Sequence, residues 1–71
     1  MRLSPITSSH LRAAGYDQAT RTLSVQFEGG EIYEYYDVPP GVYQQMLNAQ
    51  PHPWTAVNRE LRAGYDYRRR S

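Results

Sequence analysis

Polar and apolar positions change period along the chain. From Thr22 to Glu28 they alternate, with Leu23, Val25 and Phe27 on one side and Thr22, Ser24, Gln26 and Glu28 on the other. That period of two marks a half-buried strand. Gly29-Gly30 follows and predicts a hairpin, and a tyrosine-rich strand runs from Glu31 to Val38. An earlier strand is read over Ser9 to Tyr16, with Leu11 and Ala13 on one face and Gly15 at a bend or bulge. Asp17 to Arg21 joins it to the alternating strand. Pro39-Pro40-Gly41 ends the sheet pattern, because proline cannot continue a ladder, and Pro40 is placed to open a helix. Val42, Tyr43, Met46 and Leu47 then recur at helical spacing over 41–49. Pro51 and Pro53 interrupt this pattern, and Trp54, Val57 and Leu61 mark a second short helix over 54–63. Residues 1–8 read as an extended lead-in, and residues 64–71 as a basic tail or an extra strand. The fold class expected is α+β, one domain over 1–71. It is a small antiparallel three-stranded meander followed by one or two short helices packed on the sheet.

The hairpin register decides which side of the Tyr33-Glu34-Tyr35 strand is core. A two-residue loop sets Phe27 opposite Ile32 and Val25 opposite Glu34, which turns Tyr33 and Tyr35 away from the apolar face. A three-residue loop with Gly30 in a bulge sets Phe27 against Tyr33 and Val25 against Tyr35. The second register is favoured because it leaves Glu34 outward, where the carboxylate needs no buried partner.

Size and composition narrow the class. A chain of 71 residues buries only about 60% of its unfolded surface. With no cysteine it has neither disulfides nor a thiolate metal site as staples. Seven tyrosines, one tryptophan and one phenylalanine supply bulk for a small core and serve interfaces equally well. No apolar run suggests a secretion signal or a membrane span, so a cytoplasmic protein without membrane contact is expected. Net charge is only +1, but it is segregated. Residues 28–37 hold four acids and no base, whereas residues 58–71 hold five arginines against two acids. All eight basic residues are arginine, whose fork suits phosphate, carboxylate and aromatic faces; a codon bias in the source genome produces the same count.

Together these residues resemble the KTSC domain family. The ordered set is Ser8-Ser9, Gly15-Tyr16-Asp17, Leu23-x-Val25-x-Phe27, Gly30, Tyr33-x-Tyr35, Val38-Pro39, Val42-Tyr43, Val57-Asn58-Arg59 and Tyr65-x-Tyr67-Arg68. It covers nearly the whole chain. The family takes its name from a domain at the C-terminus of some lysyl-tRNA synthetases and also occurs as a stand-alone bacterial protein. The resemblance implies a short domain for which RNA binding has been suggested, and it supplies no catalytic residues. The chain departs from the pattern at Gln50 to Thr55. Pro51-His52-Pro53-Trp54 stands there in place of a small turn, and Val57 precedes Asn58 where an aromatic residue is usual. The connection between the helices is therefore expected to be reshaped, with Trp54 supplying bulk that Val57 lacks.

The candidate binding residues are Arg59, Arg62, Tyr65, Tyr67, Arg68, Arg69 and Arg70. Arg59 and Arg62, three apart, share a helix face, and Tyr65 and Tyr67 interleave the cations as in single-strand binders. The plainer reading is a solvated tail. On the favoured register Tyr33 and Tyr35 are read as mostly core with hydroxyls reaching the rim; the alternative is a base-stacking platform, against which Glu31 and Asp37 count, since they share that face and repel phosphate. His10 and His52 stand alone without ligand partners, so no metal and no cofactor are expected. Ser8-Ser9-His10 lacks an orienting acid; a small ribonuclease using a histidine with an arginine is the minor alternative to a non-enzyme. Asn58 reads as a cap or turn residue. Two functions compete: a nucleic-acid-binding module, RNA before DNA, and a protein-interaction or self-assembly module, including a homodimer.

Overall fold

Alternation, turn chemistry and two proline-started helices order the chain as β1 (Ser4–Pro5), β2 (Leu11–Asp17), β3 (Thr22–Phe27), β4 (Ile32–Tyr35), α1 (Pro40–Asn48), α2 (Pro53–Gly64) and β5 (Tyr67–Arg69). The computed structural model describes residues 3–70. Met1 and Arg2 of the expected lead-in, and Ser71 of the expected tail, lie outside the described residues. The strands form one antiparallel sheet in sequence order, β1-β2-β3-β4-β5. The expected three-stranded meander is therefore its centre. The lead-in contributes β1 against Ala13 and Ala14, and the basic tail contributes β5 against β4. Alternation could not announce these two strands, because each has only two or three residues and makes its ladder with a distant segment.

The hairpin loop has three residues. Phe27 N donates to Glu31 O at 2.9 Å and Gly30 N to Phe27 O at 2.9 Å. Gly30 sits at φ +100°, a conformation open to glycine and strained for any side chain. Closure on Glu31 pairs Val25 with Tyr33 and Leu23 with Tyr35. The expected partners, Phe27 with Tyr33 and Val25 with Tyr35, were thus two residues out. A shift of two leaves the faces unchanged, so Tyr33 and Tyr35 do share the apolar side while Glu34 lies on the other. In β2 the irregularity falls at Arg12, where pairing slips between Leu11 and Ala13, and not at Gly15. The bulge places Leu11 and Ala14, not Leu11 and Ala13, in the core cluster.

Both helices cover one face of the sheet. Proline opens each, since a first-turn residue needs no amide hydrogen. Helix α1 buries Val42 and Met46, and α2 buries Pro53, Val57 and Leu61. These meet Leu11, Ala14, Leu23, Val25, Tyr35 and Val38 from the sheet side. Pro53, expected to stop a helix, begins the second one. The reshaped connection contains a cis Gln50–Pro51 peptide, and His52 N closes it on Ala49 O at 2.8 Å. Asn58 lies inside α2, donating from Nδ2 to Trp54 O at 3.0 Å, and so is not a cap. Among the described residues no helix is long and apolar enough to cross a membrane.

Candidate nucleic-acid interface

Strand β5 settles where the candidate residues go. Tyr36 N donates to Asp66 O at 2.9 Å and Arg70 N to Ile32 O at 2.7 Å, so the segment after α2 is held along β4. Side chains alternate across a strand. Tyr67 and Arg69, opposite Tyr35 and Tyr33, project toward the helix side, whereas Arg68, opposite Glu34, projects to the outer side. Arg70 joins Arg68 there, with Nη1 at 3.5 Å from Glu34 Oε1. Tyr36 also donates to that Glu34 oxygen at 3.0 Å. Burial, the Glu34 hydrogen bond and the Glu34 charge push the Tyr36 hydroxyl pKa up, with Arg68 and Arg70 opposing. Tyr65, expected to interleave the cations, is half-buried and packs against the core.

On the helix side, a groove of about 720 Å³ lies between β4, β5 and α2. Its walls are Phe27, Tyr33, Tyr35, Trp54 and Tyr67, joined by Glu31, Arg59, Arg62 and Ala63. The aromatic rings make a closed circuit of contacts. Phe27 meets Tyr33 edge-on at 5.6 Å, and Tyr33 meets Tyr67 at 6.1 Å. Tyr67 meets Tyr35 at 5.6 Å, Tyr35 meets Trp54 at 6.3 Å, and Trp54 returns edge-on to Phe27 at 5.1 Å. All five separations fall within the range of favourable aromatic pairs, roughly 4.5–7 Å between centroids.

Within this circuit the rings differ in access. Tyr35 is buried at 4% exposure, while Tyr67, at 57%, is the exposed large hydrophobic side chain among the described residues. Trp54, Tyr33 and Phe27 are half-buried. Burial raises the Tyr35 hydroxyl pKa first, Tyr67 and Tyr33 add to the rise, and the Arg62 guanidinium pulls against it. Arg62 and Tyr35 line the same groove. Arg59, Arg62 and Ala63 share one helical face at spacings of three and four, beside the buried Leu61 that fixes the rotation of α2.

The structure thus brings Arg59, Arg62 and Tyr67 together, with Arg69 on the same side of β5, and separates them from Arg68 and Arg70. Sequence reasoning missed Phe27 and Trp54 as groove residues and read Tyr33 and Tyr35 as mostly core, with a stacking platform as the alternative. Asp37, feared as a repelling charge, sits in the turn after β4 at φ +56° and does not line the groove. Glu31 does. Ser8 Oγ accepts from His10 N at 3.0 Å and Leu11 N at 3.1 Å, so this hydroxyl organises a turn. Among the described residues, no group of three or more His, Asp or Glu side chains is placed to hold a metal ion.

The family model for the KTSC domain matches residues 7–65 of this chain. A protein of Tsukamurella paurometabola is 46% identical over 48 residues, which cover 68% of this chain and 72% of that protein. A lysine–tRNA ligase of Nostoc punctiforme is 42% identical over 41 residues, 58% of this chain but only 7% of the ligase. The crystal structure of a KTSC domain protein from Yersinia pestis superposes with a TM-score of 0.86 at 27% identity, covering 99% of this chain and 97% of that one.

Proposed function

The chain belongs to the KTSC domain family, and on that footing we propose that it is a non-catalytic binding module whose groove takes nucleic acid, RNA before DNA. The carrying observation is the union of an aromatic floor with Arg59 and Arg62 in one groove. Base stacking on aromatic side chains contributes about 1–3 kcal/mol per base and tolerates any base. Guanidinium groups beside such a floor reach the phosphates that link stacked bases. Duplexes hide base faces, so a stacking groove favours single strands. The kinship with lysine–tRNA ligases, whose name states action on a tRNA, supports RNA over DNA. Arg68, Arg69 and Arg70 extend the positive field along the β5 edge, and Glu34 offsets part of it on the outer side.

Titration of short single-stranded RNA, followed by Trp54 fluorescence over a range of salt, tests this reading. Binding should weaken with salt at a slope of about −0.7 per phosphate contacted. Replacing both Arg59 and Arg62 by Ala should flatten that slope by roughly 1.4. Absence of quenching by RNA at low salt would refute the proposal. The second reading, a protein-interaction or self-assembly module, draws on the exposed Tyr67 at an edge strand with one side unpaired among the described strands. A concentration-dependent particle mass without nucleic-acid affinity would favour it.

A further inference from the structure

Glu31 is out of place in a groove built for phosphate. It closes the hairpin loop through its carbonyl, which accepts from Phe27 N at 2.9 Å, and it is one of the residues lining the groove beside the aromatic circuit. The carboxylate folds over the loop, so that a Cβ added at Gly29 would collide with Glu31 Oε1. Among the described residues the ion pair formed is Arg70 with Glu34, and the Glu31 carboxylate has neither an ion pair nor a hydrogen bond. Glu31 is half-buried, its carboxylate oxygens are open to solvent, and it shares the groove lining with Arg59 and Arg62, so a ligand entering the groove can replace water on that carboxylate.

A carboxylate only accepts, and its two oxygens lie side by side. The nucleobase that matches this is guanine, whose Watson–Crick edge presents N1–H and the 2-amino group in parallel. Adenine and cytosine each present an amino group next to a ring nitrogen whose lone pair faces the carboxylate. Uracil presents a single N–H flanked by two carbonyl oxygens. Resting on the RNA reading above, we infer that Glu31 is a specificity residue: it selects a guanine stacked against the aromatic circuit while Arg59 and Arg62 hold the neighbouring phosphates. The same groups explain why an acid is tolerated there, because the base, not the phosphate, occupies its end of the groove.

The test uses the full chain and a set of short uridine-rich RNAs that differ only in one central base: G, A, C, U or inosine. Guanine should bind roughly 10- to 100-fold more tightly than uracil, the size of one good bidentate contact. Inosine, which lacks the 2-amino group, should lose most of that gain. In Glu31→Ala the guanine advantage should vanish, and circular dichroism shows independently of binding that the variant is folded. RNA binding that ignores the central base, or a guanine preference that survives in Glu31→Ala, would overturn this inference and leave the RNA reading standing. Failure of every RNA to bind would overturn both. Competition by tetramethylammonium, lost in Glu31→Ala, would instead assign the rings and the acid to a cationic ligand and overturn the guanine assignment.

Discussion

Replacing Tyr67 by Ala separates binding from folding in this domain. The ring is 57% exposed, so most of its surface gains nothing from the folded state. What it does contribute are tilted contacts with Tyr33 at 6.1 Å and Tyr35 at 5.6 Å. Aromatic pairs contribute about 0.5–1.5 kcal/mol each beyond area when well packed, and exposure places these two at the low end. The stability loss should therefore be about 1 kcal/mol, against a total of roughly 4–10 kcal/mol for a chain of this length. The backbone bond from Tyr36 N to Asp66 O at 2.9 Å does not involve the Tyr67 side chain, so β5 stays paired. Binding should suffer more. Loss of one stacking surface costs about 1–3 kcal/mol, a fall of roughly 5- to 150-fold in affinity for single-stranded RNA. Urea unfolding followed by circular dichroism measures the first quantity, and fluorescence titration with RNA measures the second. The outcome that sinks the reasoning is a variant that unfolds as expected yet binds RNA as tightly as the parent. A stability loss near 4 kcal/mol would show that Tyr67 belongs to the core and not to the groove.

Other consequences concern the frame around the groove. Leu61 is fully buried on α2, so Leu61→Ala should cost about 2–5 kcal/mol and lower the urea midpoint without a new binding preference in whatever fraction stays folded. Gly30→Ala, at φ +100°, should cost about 1–3 kcal/mol through backbone strain alone; an unchanged melting temperature would contradict the loop geometry. Alkaline pH should destabilise the fold. The Tyr35 pKa is raised by burial, so above about pH 10 the unfolded chain releases a proton that the folded chain retains, and stability falls as pH rises through that range. Tyr35→Phe should flatten this fall, as read from melting temperature against pH.

Much of the architecture was legible because it rests on local rules. Alternation over Thr22 to Glu28 marked β3. Pro40 and apolar spacing marked α1, apolar spacing alone marked α2, and the cost of burying Glu34 chose the correct face of β4. Errors arose where a choice depended on partners far away. The bulge at Arg12, which brings Ala14 into the core cluster with Leu11 while Ala13 is buried outside that cluster, answers to β3 and has no signature in its own residues. The two-residue offset in the hairpin partners came from counting past Glu31, and only the Phe27–Glu31 closure corrects it.

The candidate site shows the same division. Residue types alone determined that aromatics and arginines are plentiful, that charge is segregated, and that Arg59 and Arg62 share a helix face. They could not determine that Arg68, Arg69 and Arg70, adjacent in sequence, are sorted to two sides of a sheet, because a tail has no faces until it pairs with β4. Nor could they bring Phe27, Tyr33, Tyr35, Trp54 and Tyr67 into one circuit, since these rings come from four separate elements. The tertiary structure assembled that floor, and with it moved the candidate interface from the arginine run to the groove beneath α2. The physical reason is that a side chain's chemistry is local, whereas its neighbours are set by strand register and helix rotation, and both follow from burying Leu23, Val25, Val57 and Leu61 together.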